Sequence, residues 1–240
     1  MFDIDIEGGI SMTNRRLVFC LILAVTATTA FAGDIATFAN LGFSENSRTF
    51  MFAQYGIDVA RSRPYAELFT VDVPANRFVP NGVFRKTYDV ELTPGQDGSG
   101  ALYNILGENA AFVNARAIDH LRTGRLVYVR INDSEPRDRL SFRDFETGSR
   151  YELRLNQQST GTGAAVKARF HIDFTFTAES RTRSFTVGLP NFDRDGVRKY
   201  TIHQVIVSPD ERSVVFVVEM QMHAAAGHRV RYMVETVTVR

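Results

Sequence analysis

Apolar residues in this chain fall in short runs, on one alternating face or on both, and the runs are separated by turn-forming residues. Thr49 to Tyr55 is apolar on both faces: Phe50 and Phe52 share one, Met51, Ala53 and Tyr55 the other. Such a strand is normally covered on both sides. Ser44-Glu45-Asn46-Ser47 before it is a cluster of small polar residues suited to a hairpin turn. Tyr65 to Val73 reads as the returning strand, with the stretch from Tyr55 to Tyr65 as a long loop. Phe84 to Leu92 is a plausible fourth strand, followed by a flexible loop from Thr93 to Gly100. Ala101 to Leu121 carries Leu102, Ile105, Leu106, Ala110, Phe112, Val113, Ala117 and Leu121 near helical spacing, with an interruption around Gly107. One broken helix or two short ones is expected there, packed over a sheet edge or barrel end.

Further along, Gln157 to Ala165 reads as a low-complexity loop without the Gly-Lys-Ser/Thr of a phosphate-binding loop. Ala168 to Thr177 then alternates cleanly, Phe170, Ile172, Phe174 and Phe176 inward and His171, Asp173, Thr175 and Thr177 outward. Arg183 to Gly188 should pair with it across Ala178 to Thr182.

The opening pattern recurs. Phe43-Ser44, Arg48, Phe50 and Phe52 align without gaps on Val207-Ser208, Arg212, Val214 and Phe216, and Arg229 to Val239 supplies the return. Gly124 to Ile131 followed by Leu140 to Leu155 reads as a looser third copy, with a turn at Glu146-Thr147-Gly148-Ser149. Three copies of strand, loop, strand constitute an internal repeat.

Phe43-Ser44, Ser208-Pro209-Asp210 and Phe142-Arg143-Asp144-Phe145-Glu146-Thr147-Gly148 resemble the short β-propeller repeats of periplasmic, TolB-like proteins. The chain after residue 33 is also similar to a bacterial family of predicted secreted proteins of unknown function. Asn40 to Ser44, Phe50-Met51-Phe52, Tyr55-Gly56, Tyr65-Ala66-Glu67, Val71-Asp72-Val73, Phe185 to Pro190 and Val205 to Met220 carry that second likeness. It implies secretion and no particular activity. The fold expected is mainly β: antiparallel hairpin repeats forming a small or irregular β-propeller, or alternatively a two-sheet β-sandwich, with one short helical insert at about 101–121.

Residues 1–32 read as a signal peptide. Arg15 and Arg16 form a positive n-region, Leu17 to Ala27 an apolar run too short for a comfortable membrane span, and Ala30-Phe31-Ala32 a cleavage site before Gly33. Met12 is a second candidate initiator, which would leave residues 1–11 untranslated. The single cysteine, Cys20, lies inside this segment, so residues 33–240 contain none. Thiol catalysis, zinc–thiolate sites and iron–sulfur clusters are thereby excluded from the mature chain. Residues 33–240 suit one β domain.

The whole chain has a formal net charge of +1, which argues against a nucleic-acid or polyanion binder, since either would show a concentrated basic face. Arginines at alternate strand positions, such as Arg61 and Arg63, Arg181 and Arg183, or Arg229 and Arg231, each share a face. A solvated sheet face is the plain reading of these pairs, and a carboxylate- or phosphate-binding patch the sharper one. Tyr55, Arg61, Arg63 and Tyr65 are the candidate binding residues, on the expected long aromatic-flanked loop. Asn191, Asp193 and Asp195, with Gly196, have the spacing that opens a calcium loop, but Ile202 stands where its bidentate glutamate belongs. His171 and His203 sit on expected strands that could meet. No Gly-x-Ser-x-Gly elbow is present, and no cofactor is indicated. The function expected is a secreted or periplasmic, non-enzymatic binding or envelope-scaffolding module. Its partner would be a protein or a surface glycan, with no nucleic acid and no membrane span after signal cleavage. The rival is a secreted hydrolase using carboxylates or a histidine.

Overall fold

A computed structural model describes residues 33–93, 95–131, 135–224 and 227–240. The signal-peptide reading, with Ala30 and Ala32, lies outside the described residues. Gly33 opens them and accepts a hydrogen bond from the Ile35 amide.

The chain is mainly β. After β1 (Asp34–Ile35) come β2 (Thr37–Ser44), β3 (Thr49–Asp58), β4 (Arg63–Asp72) and β5 (Arg77–Thr87), then helices α1 (Ser99–Glu108) and α2 (Ala110–Ala115) and the short β6 (Ile118–Asp119). β7 (Arg125–Val129), β8 (Arg139–Arg143), β9 (Arg150–Thr160), β10 (Lys167–Ala178), β11 (Arg181–Val187) and β12 (Arg194–Asp195) follow. β13 (Val197–Val207), β14 (Ser213–Met222) and β15 (Arg229–Thr238) complete the chain. Three sheets result. The first has the order β5-β4-β3-β2-β6 and the second β11-β10-β9-β8, with β12 also on β10. The third has the order β1-β15-β14-β13-β7. Neighbours are antiparallel except β1 and β15.

Three apolar layers fix the order of stacking. Met51, Ala53, Ala66 and Leu68 of the first sheet pack on Ala101, Leu102, Ile105 and Val113 of the helices. The opposite face of that sheet, with Phe43, Phe50, Phe52, Phe69 and Val71, packs on Ile206, Val215, Val217 and Val234 of the third. The third sheet's other face presents Val205, Val207, Val214, Phe216 and Val218 to Leu153, Phe170, Ile172 and Phe174 of the second. The order is helices, first sheet, third sheet, second sheet. β3 and β14 are therefore buried on both faces, which is why both read as continuous apolar runs. The second sheet is covered on one face only, and β10 keeps its in/out alternation.

The repeat is real at its two ends. Ser44 Oγ accepts from the Thr49 amide at 3.0 Å and donates to Asn46 Oδ1 at 2.9 Å. Ser208 Oγ accepts from the Ser213 amide at 2.9 Å and donates to Asp210 Oδ1 at 2.6 Å. Ser47 and Glu211 occupy the same left-handed position, φ 56° and 57°. The Val73 amide reaches the Arg48 carbonyl, as the Val239 amide reaches that of Arg212.

Five expectations change in detail. The stretch from Tyr55 to Tyr65 is not a long loop: Gly56 pairs with Tyr65 and Asp58 with Arg63, leaving a tight turn. Gly56 permits this, since a Cβ there would lie 3.0 Å from the Tyr65 hydroxyl. The third copy is not one unit. β7 pairs with β13 while β8 and β9 join the second sheet, because Val127 and Tyr128 pack into the layer between those sheets. The fourth strand begins at Arg77 and ends at Thr87. The helical insert breaks at Asn109, whose side chain donates to the Ile105 carbonyl, and covers a sheet face instead of an edge. Gln157 to Thr160 belong to β9, so only the residues after them turn.

Candidate functional site

Tyr55, Arg61, Arg63 and Tyr65 do not form one surface. Tyr55 packs on the helix side of the first sheet. Tyr65, its cross-strand neighbour by one, lies on the other face and donates its hydroxyl to Asp34 Oδ1 at 3.1 Å. Burial raises the Tyr65 phenol's pKa, and Arg231, 4.6 Å over the ring, opposes this. Arg231 and Arg229 both pair with Asp34, at 2.6 and 3.4 Å, so these groups tie β1 to β15. Arg61 and Arg63 line an open groove with Thr87, Tyr88 and Asp89, where Arg63 pairs with Asp89 at 3.1 Å.

Asn191 lies in the turn before β12. Asp193 approaches Lys167 at 4.0 Å, and Asp195 sits opposite Lys167 in the ladder. No group of three or more His, Asp or Glu is placed to hold a metal ion among the described residues. His171 faces outward on the second sheet, 3.7 Å from Asp173, whereas His203 stacks near Tyr232 in the third, so the two do not meet. His120 is held by the Leu41 carbonyl at 2.7 Å.

The buried acids are neutralised where the layers join. Glu219 pairs with Arg130 at 2.5 Å, beside His203, whose pKa is lowered by burial. A bulge between Ile202 and Gln204 leaves His203 out of the β14 register. Gln54 accepts from the Tyr232 amide at 2.7 Å and donates to Glu67, bridging the first and third sheets. Glu235 accepts from Asn76 at 2.6 Å and faces Arg194 at 3.6 Å, and burial outweighs both in raising its pKa. Arg125 gathers Asp144, Glu146 and Glu211 from the β8–β9 and β13–β14 turns. Burial works against the Asp144 charge, but its bonds to Arg125 and Thr147 prevail and lower its pKa. Each of these acids joins elements and already has its partner in place.

The outer face of the second sheet is different. Register places Arg139 directly opposite Arg154, and Arg143 opposite Arg150. Like charges so placed repel. The side chains of Arg139, Arg150 and Arg154 have no ion pair or hydrogen bond among the described residues, and Arg154 also stands opposite Asp173 of β10 in the ladder. Between the two rows lie Ser141 and Glu152; beyond them come Asn156 beside His171, then Gln158 bonded to Arg169. Arg139, Ser141, Glu152, Arg154, Asp173 and Thr175 border a shallow depression on this face. The arginines at alternate positions along single strands are other ones, because Arg139 and Arg154 become neighbours only when the hairpin closes. The alternation of Arg150, Glu152 and Arg154 with Tyr151, Leu153 and Leu155 was the available signal.

Fold and charge distribution together define a protein of stacked antiparallel sheets with its buried acids paired and one cationic face open to solvent. The chain belongs to the family of predicted secreted proteins designated DUF2259, whose profile matches residues 51–238. No curated protein and no solved structure matches the chain, so the TolB-like likeness gains no support from them. No helix among the described residues is long and apolar enough to cross a membrane.

Proposed function

We propose that this secreted protein is a non-enzymatic binding module of the cell envelope. In this reading residues 1–32 are a cleaved signal peptide, the mature chain is periplasmic or released, and the stacked hairpin sheets serve as a propeller-like scaffold. The observation that carries it is the contrast in how charge is used. Glu219, Glu235 and Asp144 are spent on joining elements, while Arg139, Arg150 and Arg154 are held in repulsive register on an open face. Cross-strand like charges cost stability, and no ion pair within the protein offsets that cost here, so a ligand that neutralises them accounts for them. The groove at Arg61 and Arg63 would be a second point of contact on a larger partner.

The rival hydrolase needs a free acid or base able to exchange a proton. Glu219 is buried and already paired with Arg130 at 2.5 Å, which suits a structural role better than proton transfer. The test is capture of envelope components on the immobilised full-length protein, with the bound material assayed for cleavage. Specific retention of an intact partner supports the reading; turnover of a retained polymer that Glu219→Gln abolishes would replace it with the hydrolase.

A further inference from the structure

We infer that the outer face of the β8–β11 sheet is a docking track for an anionic polysaccharide, bearing carboxylates or phosphates along its length. This rests on the binding-module reading and names its ligand class and surface. The two arginine pairs are four residues apart along both strands, about 13 Å at roughly 3.3 Å per residue. Arg169 lies four residues beyond Arg154 along β9 by register, opposite Gln158, so cationic positions recur at the same interval. The face carries five arginines, at 139, 143, 150, 154 and 169, and Lys167, against the carboxylates of Glu152, Asp173 and Asp195. Asp173 is already engaged by Asn156 at 2.8 Å. A single small anion would satisfy one pair and leave the other repelling, whereas an extended polyanion crossing the rows satisfies both together.

The rows between the cations have the chemistry to bind a sugar backbone. Ser141, Thr175 and Ser184 share one row with Glu152, and Asn156 and His171 share the next. Hydroxyls and amides donate to and accept from sugar hydroxyls. The outward positions of these rows hold no large apolar side chain to enter a bilayer, which favours a glycan over a lipid surface.

The test uses the full-length protein with polygalacturonate as probe, neutral dextran as control, and vesicles containing phosphatidylglycerol as the competing anionic surface. Arg139→Gln with Arg154→Gln should weaken polygalacturonate binding at least tenfold at low salt and flatten its salt dependence. Arg198→Gln with Lys199→Gln, an equal charge change at exposed positions of the third sheet, should leave both nearly unchanged. The Arg139 and Arg154 double variant should melt no lower than the parent, which separates lost binding from lost folding. Equal losses in the two variants would overturn the track. So would binding to vesicles without binding to polygalacturonate, although the binding-module reading would then stand. Cleavage of polygalacturonate would leave the track in place and remove the non-enzymatic reading.

Discussion

In β14 side chains on both faces are buried, Val214, Phe216 and Val218 against the second sheet and Val215 and Val217 against the first. In β10, one layer away, Phe170, Ile172, Phe174 and Phe176 are buried while Asp173 is exposed and His171 and Thr175 are half-buried. The strands have the same geometry and similar inward residues. They differ in their place in the stack: the third sheet is an inner layer and the second an outer one. An inner layer must bury both faces, so any charge it keeps needs a partner, as Glu219 and Glu235 have. An outer layer is free to carry charge that the fold does not use, and here that charge is mostly cationic.

The sharpest break of this comparison is a matched pair of lysines. Val217→Lys places an unpaired charge between the first and third sheets and should abolish folding or cost upward of about 4 kcal/mol. Ser141→Lys, beside Glu152 on the outer face, should change stability by no more than about 0.5 kcal/mol. Urea unfolding measures both, and similar losses would contradict the layer order.

Glu235→Ala should cost about 2 kcal/mol, because it removes the acceptor of Asn76 and leaves the half-buried Arg194 without its carboxylate. The same group sets a pH dependence. Its pKa is raised in the fold, so the native state binds its proton more tightly than the unfolded chain does. Its contribution is therefore greatest below the ordinary value of 4.5 and is lost as pH rises through the higher native value. Glu235→Gln should flatten that part of the stability–pH curve; an unchanged curve would show that the carboxyl does not titrate in this way.

Smaller effects compare the two hairpin copies. Ser44→Ala and Ser208→Ala each remove the hydroxyl that holds a turn, and each should cost about 1 kcal/mol. A thermal-melting difference much beyond that between the two would mean that the turns are alike in geometry but not in energy. Smallest is the gain from relieving repulsion. Arg139→Gln with Arg154→Gln should stabilise by a few tenths of a kcal/mol in low salt, with the gain fading as salt is added. A loss of stability would show that those arginines serve the fold after all.

Much of this architecture was legible in the chain. Alternation over Ala168 to Thr177 gave β10 and its buried face, and the double-faced run of Thr49 to Tyr55 announced a strand covered twice. The aligned Ser44 and Ser208 turns gave the repeat, because a serine that caps its own hairpin is a local device whose partners lie within five residues. Local hydrogen bonds and side-chain period decide such features, and sequence alone states them.

Other features were settled only by the tertiary structure. The third repeat dissolved because β7 found its partner in β13, far along the chain, and strand period does not say which strand pairs with which. Tyr55 and Tyr65 were expected to share a surface, yet continued pairing across Gly56 and Asp58 put them on opposite faces. The arginine rows likewise depend on register: one residue of slip would have set Arg139 beside an inward residue of β9. Sequence determined the strands, the turns and the secreted family; layering and register decided which charges were buried in pairs and which were left facing outward, because only they set each side chain's neighbours and its access to water.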